Sequence, residues 1–80
     1  MIKQITRSSI KFEHEGKPVT IEGEALLPGY GSPDFIIYSN SVKYWDSPYD
    51  KQPVTDGERR KILEAVQSEL KQRNMSSEIE

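Results

Sequence analysis

Two stretches with a two-residue apolar period meet at Glu15-Gly16, and one stretch with a helical period begins after Thr55; together they predict an α+β fold. The expected architecture is a small antiparallel β-sheet of four to five strands with one C-terminal α-helix packed on one face. The 80 residues make a single small domain, 1–80. Area scaling predicts roughly 4,900 Å² of folded surface and about 60% of the unfolded surface buried, so the core is thin.

The elements follow in chain order. Residues 2–6 alternate apolar and polar side chains, which predicts a first edge strand. Ile10, Phe12 and His14 share one face while Lys11 and Glu13 share the other. Glu15-Gly16 predicts a tight turn, because glycine takes the positive φ a hairpin needs. Val19 and Ile21 resume the alternation opposite Thr20, Glu22 and Glu24, so residues 9–26 read as a hairpin with one apolar face. Leu27-Pro28-Gly29-Tyr30-Gly31-Ser32-Pro33-Asp34 is a loop by composition. Phe35-Ile36-Ile37-Tyr38 predicts a central strand covered on both sides. Ser39-Asn40-Ser41 predicts a turn, Val42-Lys43-Tyr44-Trp45 an extended run, and Asp46 to Pro53 an irregular segment.

Thr55-Asp56-Gly57-Glu58 matches a capping box, in which Thr55 accepts from a first-turn amide and Glu58 reaches back. Asp56 adds negative charge at the positive helix end. Ile62, Leu63, Val66 and Leu70 then form one apolar helical stripe. Asn74 tolerates the left-handed conformation and predicts the stop, with Met75 folding back on the last turn. Ser76 to Glu80 reads as a short last strand with Ile79 facing inward.

Composition excludes several function classes. There is no cysteine, hence no disulfide, thiolate nucleophile or thiolate ligand. No apolar run approaches the ~20 residues of a membrane span. The first residues, Met-Ile-Lys-Gln-Ile-Thr-Arg, lack the apolar core of a signal peptide, so a cytoplasmic location is expected. Net charge is −2, but the middle of the chain is far more acidic. Residues 18–58 carry Glu22, Glu24, Asp34, Asp46, Asp50, Asp56 and Glu58 against Lys43 and Lys51. Such an acidic face repels nucleic-acid backbone and attracts basic partners; the plainer reading is a solvated surface.

Catalytic patterns are weak. His14 is the only histidine, and zinc would then need three carboxylate or water ligands. A half-packed histidine at a hairpin end is the commoner arrangement. Glu22 and Glu24 stand at i and i+2 on one strand face and are a formal acid–base pair. They share that face with Thr20, as solvent-facing residues do. Gly29-x-Gly31 lacks the third glycine and the following helix of a phosphate loop. Asp46 and Asp50 miss the calcium-loop spacing. Arg59-Arg60-Lys61 is a basic cluster opening a helix whose first turn holds Asp56 and Glu58, which cancel part of its field. No enzyme, metal or cofactor is expected from these residues.

The aromatic residues Tyr30, Tyr38, Tyr44, Trp45 and Tyr49 are more informative. Tyrosine and tryptophan bury large area at small entropic cost, which enriches them at interfaces. On an extended run Tyr44 and Trp45 point to opposite faces, so one packs under the helix while the other stays exposed; Trp45 is the expected core residue. Asp46 is then a structural acceptor for backbone amides or for an arginine such as Arg59.

Val42, Trp45-Asp46-x-Pro48, Asp50, Pro53-Val54 and Glu58-Arg59 followed by Ile62 resemble the signature of the immunity protein 74 family. The likeness extends to the hairpin, the Phe35–Tyr38 strand and the C-terminal helix, although its specific letters cluster in about twenty residues. Tyr49 stands where the family favours histidine, and Asn74 where glycine is commoner. The resemblance implies an immunity protein, or antitoxin, encoded beside a bacterial polymorphic or contact-dependent toxin. Such a protein binds its cognate toxin domain, often a nuclease, stoichiometrically inside the producing cell. It supplies no catalytic residue.

The expected function is therefore toxin neutralisation by direct binding, with a protein partner and no direct contact to nucleic acid or membrane. Glu22, Glu24, Asp34, Tyr44, Asp46, Tyr49 and Asp50 are the expected toxin-binding residues. A rival reading is an acidic interaction or regulatory module unrelated to a toxin. A weaker rival is a hydrolase using Glu22 and Glu24.

Overall fold

The computed structural model describes residues 1–27 and 31–80. Five strands, β1 (Ile2–Ile5), β2 (Ser9–His14), β3 (Lys17–Ala25), β4 (Phe35–Ile37) and β5 (Ser77–Ile79), form one sheet in the order β1-β2-β3-β4-β5. A short 3-10 turn, Ser39–Ser41, follows β4, and one helix, α1 (Asp56–Gln72), precedes β5. The expected two-layer α+β arrangement is present. The sheet is mixed, because β5 runs parallel to β4 while the other neighbours are antiparallel. The helix supplies the crossover that a parallel connection requires.

The β2–β3 hairpin has the register its sequence pattern demands. Ile10 lies opposite Ile21 and Phe12 opposite Val19, and all four are buried. Glu15 and Gly16 both take positive φ, 51° and 82°, which a tight two-residue hairpin turn requires. Gly23 serves a different purpose. A Cβ there would collide with the Ile36 carbonyl and the Phe35 ring. Its missing side chain lets β4 approach β3 and lays the Phe35 ring into the core.

Strand β4 is central but covered on one side only. Phe35 and Ile37 are fully buried, while Ile36 between them is half-exposed on the sheet face away from the helix. The expectation of cover on both sides fails because the single helix has only one face of the sheet to pack on.

Thr55 and Glu58 complete the capping box at the start of α1. Thr55 Oγ1 accepts the Glu58 amide at 3.1 Å, and Glu58 Oε1 accepts the Thr55 amide at 3.0 Å. The Thr55 amide first, then the Thr55 hydroxyl and the nearby Lys17 and His14, outweigh the cost of partial burial and hold the Glu58 carboxyl below its ordinary pKa. Ile62, Leu63, Val66 and Leu70 are the buried stripe. Asn74 has φ 61°. Met75 N–H returns to the Leu70 carbonyl at 2.9 Å and Asn74 N–H to the Lys71 carbonyl at 3.0 Å, which is the Schellman closure. Met75 packs against the core as the sequence predicts.

The chain exposes 5400 Å², more than the scaling value, in keeping with its elongated 41 × 21 × 21 Å outline. No helix among the described residues is long and apolar enough to cross a membrane.

Candidate functional site

Val42–Trp45 does not form the extended run predicted for it, whereas Asp46 to Pro53 is irregular as expected. Only Tyr44 makes a β-bridge, to Pro53, and the segment from Val42 to Thr55 is a loop pinched at its base. Trp45 N–H donates to the Gln52 carbonyl at 3.3 Å, and Val54 N–H to the Lys43 carbonyl at 2.8 Å. The Ser47–Pro48 peptide bond is cis. The two aromatics do diverge as expected: Trp45 is 2% exposed and Tyr44 59%.

Trp45 closes the hairpin end of the core. Its ring stacks on His14 at 6.1 Å between centroids and 12° between planes. The Lys17 ammonium lies 5.2 Å from the Trp45 ring and 5.6 Å from the Tyr49 ring, within cation–π range. Lys17 also donates to Gln52 Oε1 at 2.9 Å. His14 is thus half-buried against an aromatic ring, and no group of three potential metal-ligating side chains forms among the described residues.

The same stretch of chain covers an edge. Strand β4 is only three residues long, so it pairs with β3 at Gly23–Ala25 and leaves the edge of Lys17–Glu22 that faces away from β2 without a strand neighbour. Tyr38 N–H donates to the Glu22 carbonyl at 2.9 Å, and Asp46 N–H to the Pro18 carbonyl at 2.9 Å. Ser41 Oγ accepts the Glu22 amide at 2.9 Å. The Thr20 hydroxyl donates to Asp46 Oδ2 at 2.6 Å. An open edge would template pairing with other chains, and these contacts remove that template. Asp46 is a structural acceptor, as the sequence suggested, but its partner is Thr20. Arg59 pairs with Asp56 instead, because three residues along a helix bring those two side chains together.

The remaining expected contact residues fall in two places. Glu22 and Glu24 are exposed on the sheet face opposite the helix. Asp34 precedes β4 at that face and is half-buried; its Oδ2 accepts the Ser76 amide at 2.9 Å and pins β5 to β4. Tyr44, Tyr49 and Asp50 belong to the pinched loop, with Tyr44 and Asp50 exposed and Tyr49 packed beside Lys17. Tyr30 lies outside the described residues.

The structure adds four residues that sequence reasoning left out of this face. Ile36 has Glu24 on one side and Glu78 on the other in register. Tyr38, two residues on, donates its hydroxyl to Glu24 Oε2 at 3.2 Å. Burial raises the Tyr38 phenol above its ordinary pKa, and the Glu24 hydrogen bond and the Glu24 and Glu80 charges raise it further. Glu80 is held next to Tyr38 by the backbone: its amide donates to the Ile37 carbonyl at 2.7 Å and its carbonyl accepts the Ser39 amide at 2.8 Å. The alternation Glu78-Ile79-Glu80 was the available signal. Placing those glutamates beside Glu24 required knowing that β5 docks on β4.

A cleft of about 410 Å³ adjoins this patch, lined by Glu22, Tyr38, Asn40, Ser41 and Lys43. Another of about 510 Å³ lies between the end of α1 and the start of β5, lined by Gln67, Ser68, Lys71, Met75, Ser76 and Ser77. In the first, the Ser41 hydroxyl donates to the Tyr38 carbonyl at 2.6 Å, and no metal-ligand set forms among the described residues.

The family model described as Immunity protein 74 matches residues 2–80. Comparison with curated proteins and with solved structures gave no match.

Proposed function

The chain belongs to the immunity protein 74 family, and from that premise we propose that it neutralises a cognate bacterial toxin domain, a nuclease, by forming a stoichiometric complex with it. The observation that carries this reading is a family match running the length of the domain. Membership implies an immunity protein acting against a toxin, and such families are generally non-enzymatic. The protein works as a binder, without a cofactor, in the cytoplasm of the cell that makes the toxin for competition with its neighbours, including by contact-dependent inhibition.

Charge supports the nuclease reading that family membership suggests. A nuclease site must hold phosphates and is basic, so an acidic surface competes for it. Glu22, Glu24, Asp34, Tyr44, Asp46, Tyr49 and Asp50 supply such a surface with aromatic anchors. A standard interface takes about 800 Å² per partner, a modest part of the 5400 Å² available here. Nanomolar protection requires about −12 kcal/mol, within reach of a few buried aromatics ringed by carboxylates.

Co-expression with the toxin domain encoded beside the gene tests the reading. Restored growth and a one-to-one complex on size exclusion are expected. Undiminished toxicity with no co-purification would overturn it.

A further inference from the structure

The helix-free sheet face carries an arrangement that the fold does not need. Ile36 and Tyr38 are half-buried at its centre. Glu24 and Glu78 flank Ile36 in register on the two neighbouring strands. Glu22 stands two residues before Glu24 on the same face of β3, and backbone hydrogen bonds to Ile37 and Ser39 hold Glu80 next to Tyr38. Like charges gathered across a sheet face destabilise it. Three carboxylates elsewhere have cation partners: Glu13 has Lys3, Asp56 has Arg59, and Glu69 has the N-terminal ammonium. Among the described residues, Glu22, Glu24, Glu78 and Glu80 form no ion pair, although Lys43 lines the adjoining cleft.

An apolar and aromatic centre ringed by uncompensated carboxylates is complementary to a basic protein surface with an apolar contact of its own. Tyrosine suits the centre, since it buries area with little entropy to lose and keeps a polar tip. The other acidic candidates are less free. Asp34 is committed to Ser76 and Asp46 to Thr20.

Building on the proposed toxin binding, we infer that the toxin's basic surface docks on the helix-free face of β3, β4 and β5, with Tyr38 and Ile36 as anchors and Glu22, Glu24, Glu78 and Glu80 as the charged ring. The pinched Val42–Thr55 loop then acts by holding the β3 edge through Asp46, and most of the contact area lies beside it.

The double variant Glu24→Lys/Glu78→Lys tests this against Glu64→Lys, which lies on the exposed side of α1, with circular dichroism checking that each folds. Calorimetry with the toxin domain encoded beside the gene should show the double variant losing about tenfold or more in affinity. Glu64→Lys should stay within about twofold. Equal affinity for the folded double variant and the parent would overturn the inference while leaving toxin binding intact. A second arm needs no toxin: amide shifts are followed on adding an oligo-arginine peptide. Shifts centred on Ile36, Tyr38 and Glu78 support the face as a cation-binding surface even if the neighbouring toxin fails to bind. Shifts centred elsewhere, or none, overturn it.

Discussion

Replacing Trp45 with alanine is expected to remove a large part of the domain's stability. The indole is 2% exposed, stacks on His14 and seals the core where the hairpin turn ends. A buried tryptophan removes roughly 200 Å² from water, worth about 5 kcal/mol at ~25 cal/mol per Å². Measured truncations of this kind cost about 3–5 kcal/mol. A domain of this size holds about 4–12 kcal/mol in total, so the variant sits near the limit of folding. With an unfolding entropy of about 2.1 cal/mol/K per residue, each kcal/mol moves Tm by about 6 °C. The expected fall is then about 18–30 °C, read by circular dichroism melting and by urea midpoint at unchanged m. Trp45→Phe keeps the ring stack and much of the area and should fall between variant and parent. A drop below about 5 °C for Trp45→Ala would refute the argument. Trp45 would then be a surface anchor, and toxin affinity would have to fall instead.

Other outcomes follow from single features. Thr55→Ala removes one half of the capping box and should cost about 1 kcal/mol, or about 6 °C in Tm. Gly23→Ala places a methyl against the Ile36 carbonyl and the Phe35 ring; overpacking of this kind costs about 1–3 kcal/mol, and an unchanged melting temperature would contradict the close approach of β4. Burial works against ionisation of Glu69, but the Ile2 amide, the N-terminal ammonium and Arg73 outweigh it, so its pKa, like that of Glu58, is lowered from 4.5. The unfolded chain then takes up those protons at higher pH than the folded one. Their stabilisation is present above about pH 4.5 and lost as pH falls through the folded-state values; acid titrations of Glu69→Gln should show a shallower loss below that pH. Asp50→Lys, an exposed change in the pinched loop, should weaken toxin association in a salt-sensitive way, and unchanged calorimetric affinity would remove Asp50 from the contact surface.

The local elements were legible because each rests on interactions within a few residues. Glu15-Gly16 sets its turn by positive φ, Thr55 and Glu58 cap each other, and Asn74 closes the helix, all through short-range bonds a sequence pattern encodes. The stripe of Ile62, Leu63, Val66 and Leu70 likewise names its own buried face. Trp45 and Tyr44 could be expected to diverge, and they do.

The sequence by itself therefore determined the elements, the helix's core face, the family signature between Val42 and Ile62, and an acidic middle. Only the tertiary structure decided how they are arranged. That β5 pairs parallel with β4, that Val42–Thr55 is a loop sealing the β3 edge, and that Asp46 answers Thr20 all depend on contacts between residues far apart in the chain. Local propensity carries no information about such contacts, since their enthalpy appears only after long loops have closed. For the same reason the sequence marks Ser76 to Glu80 as a short strand but does not reveal that it brings Glu78 and Glu80 near Glu24 and Tyr38.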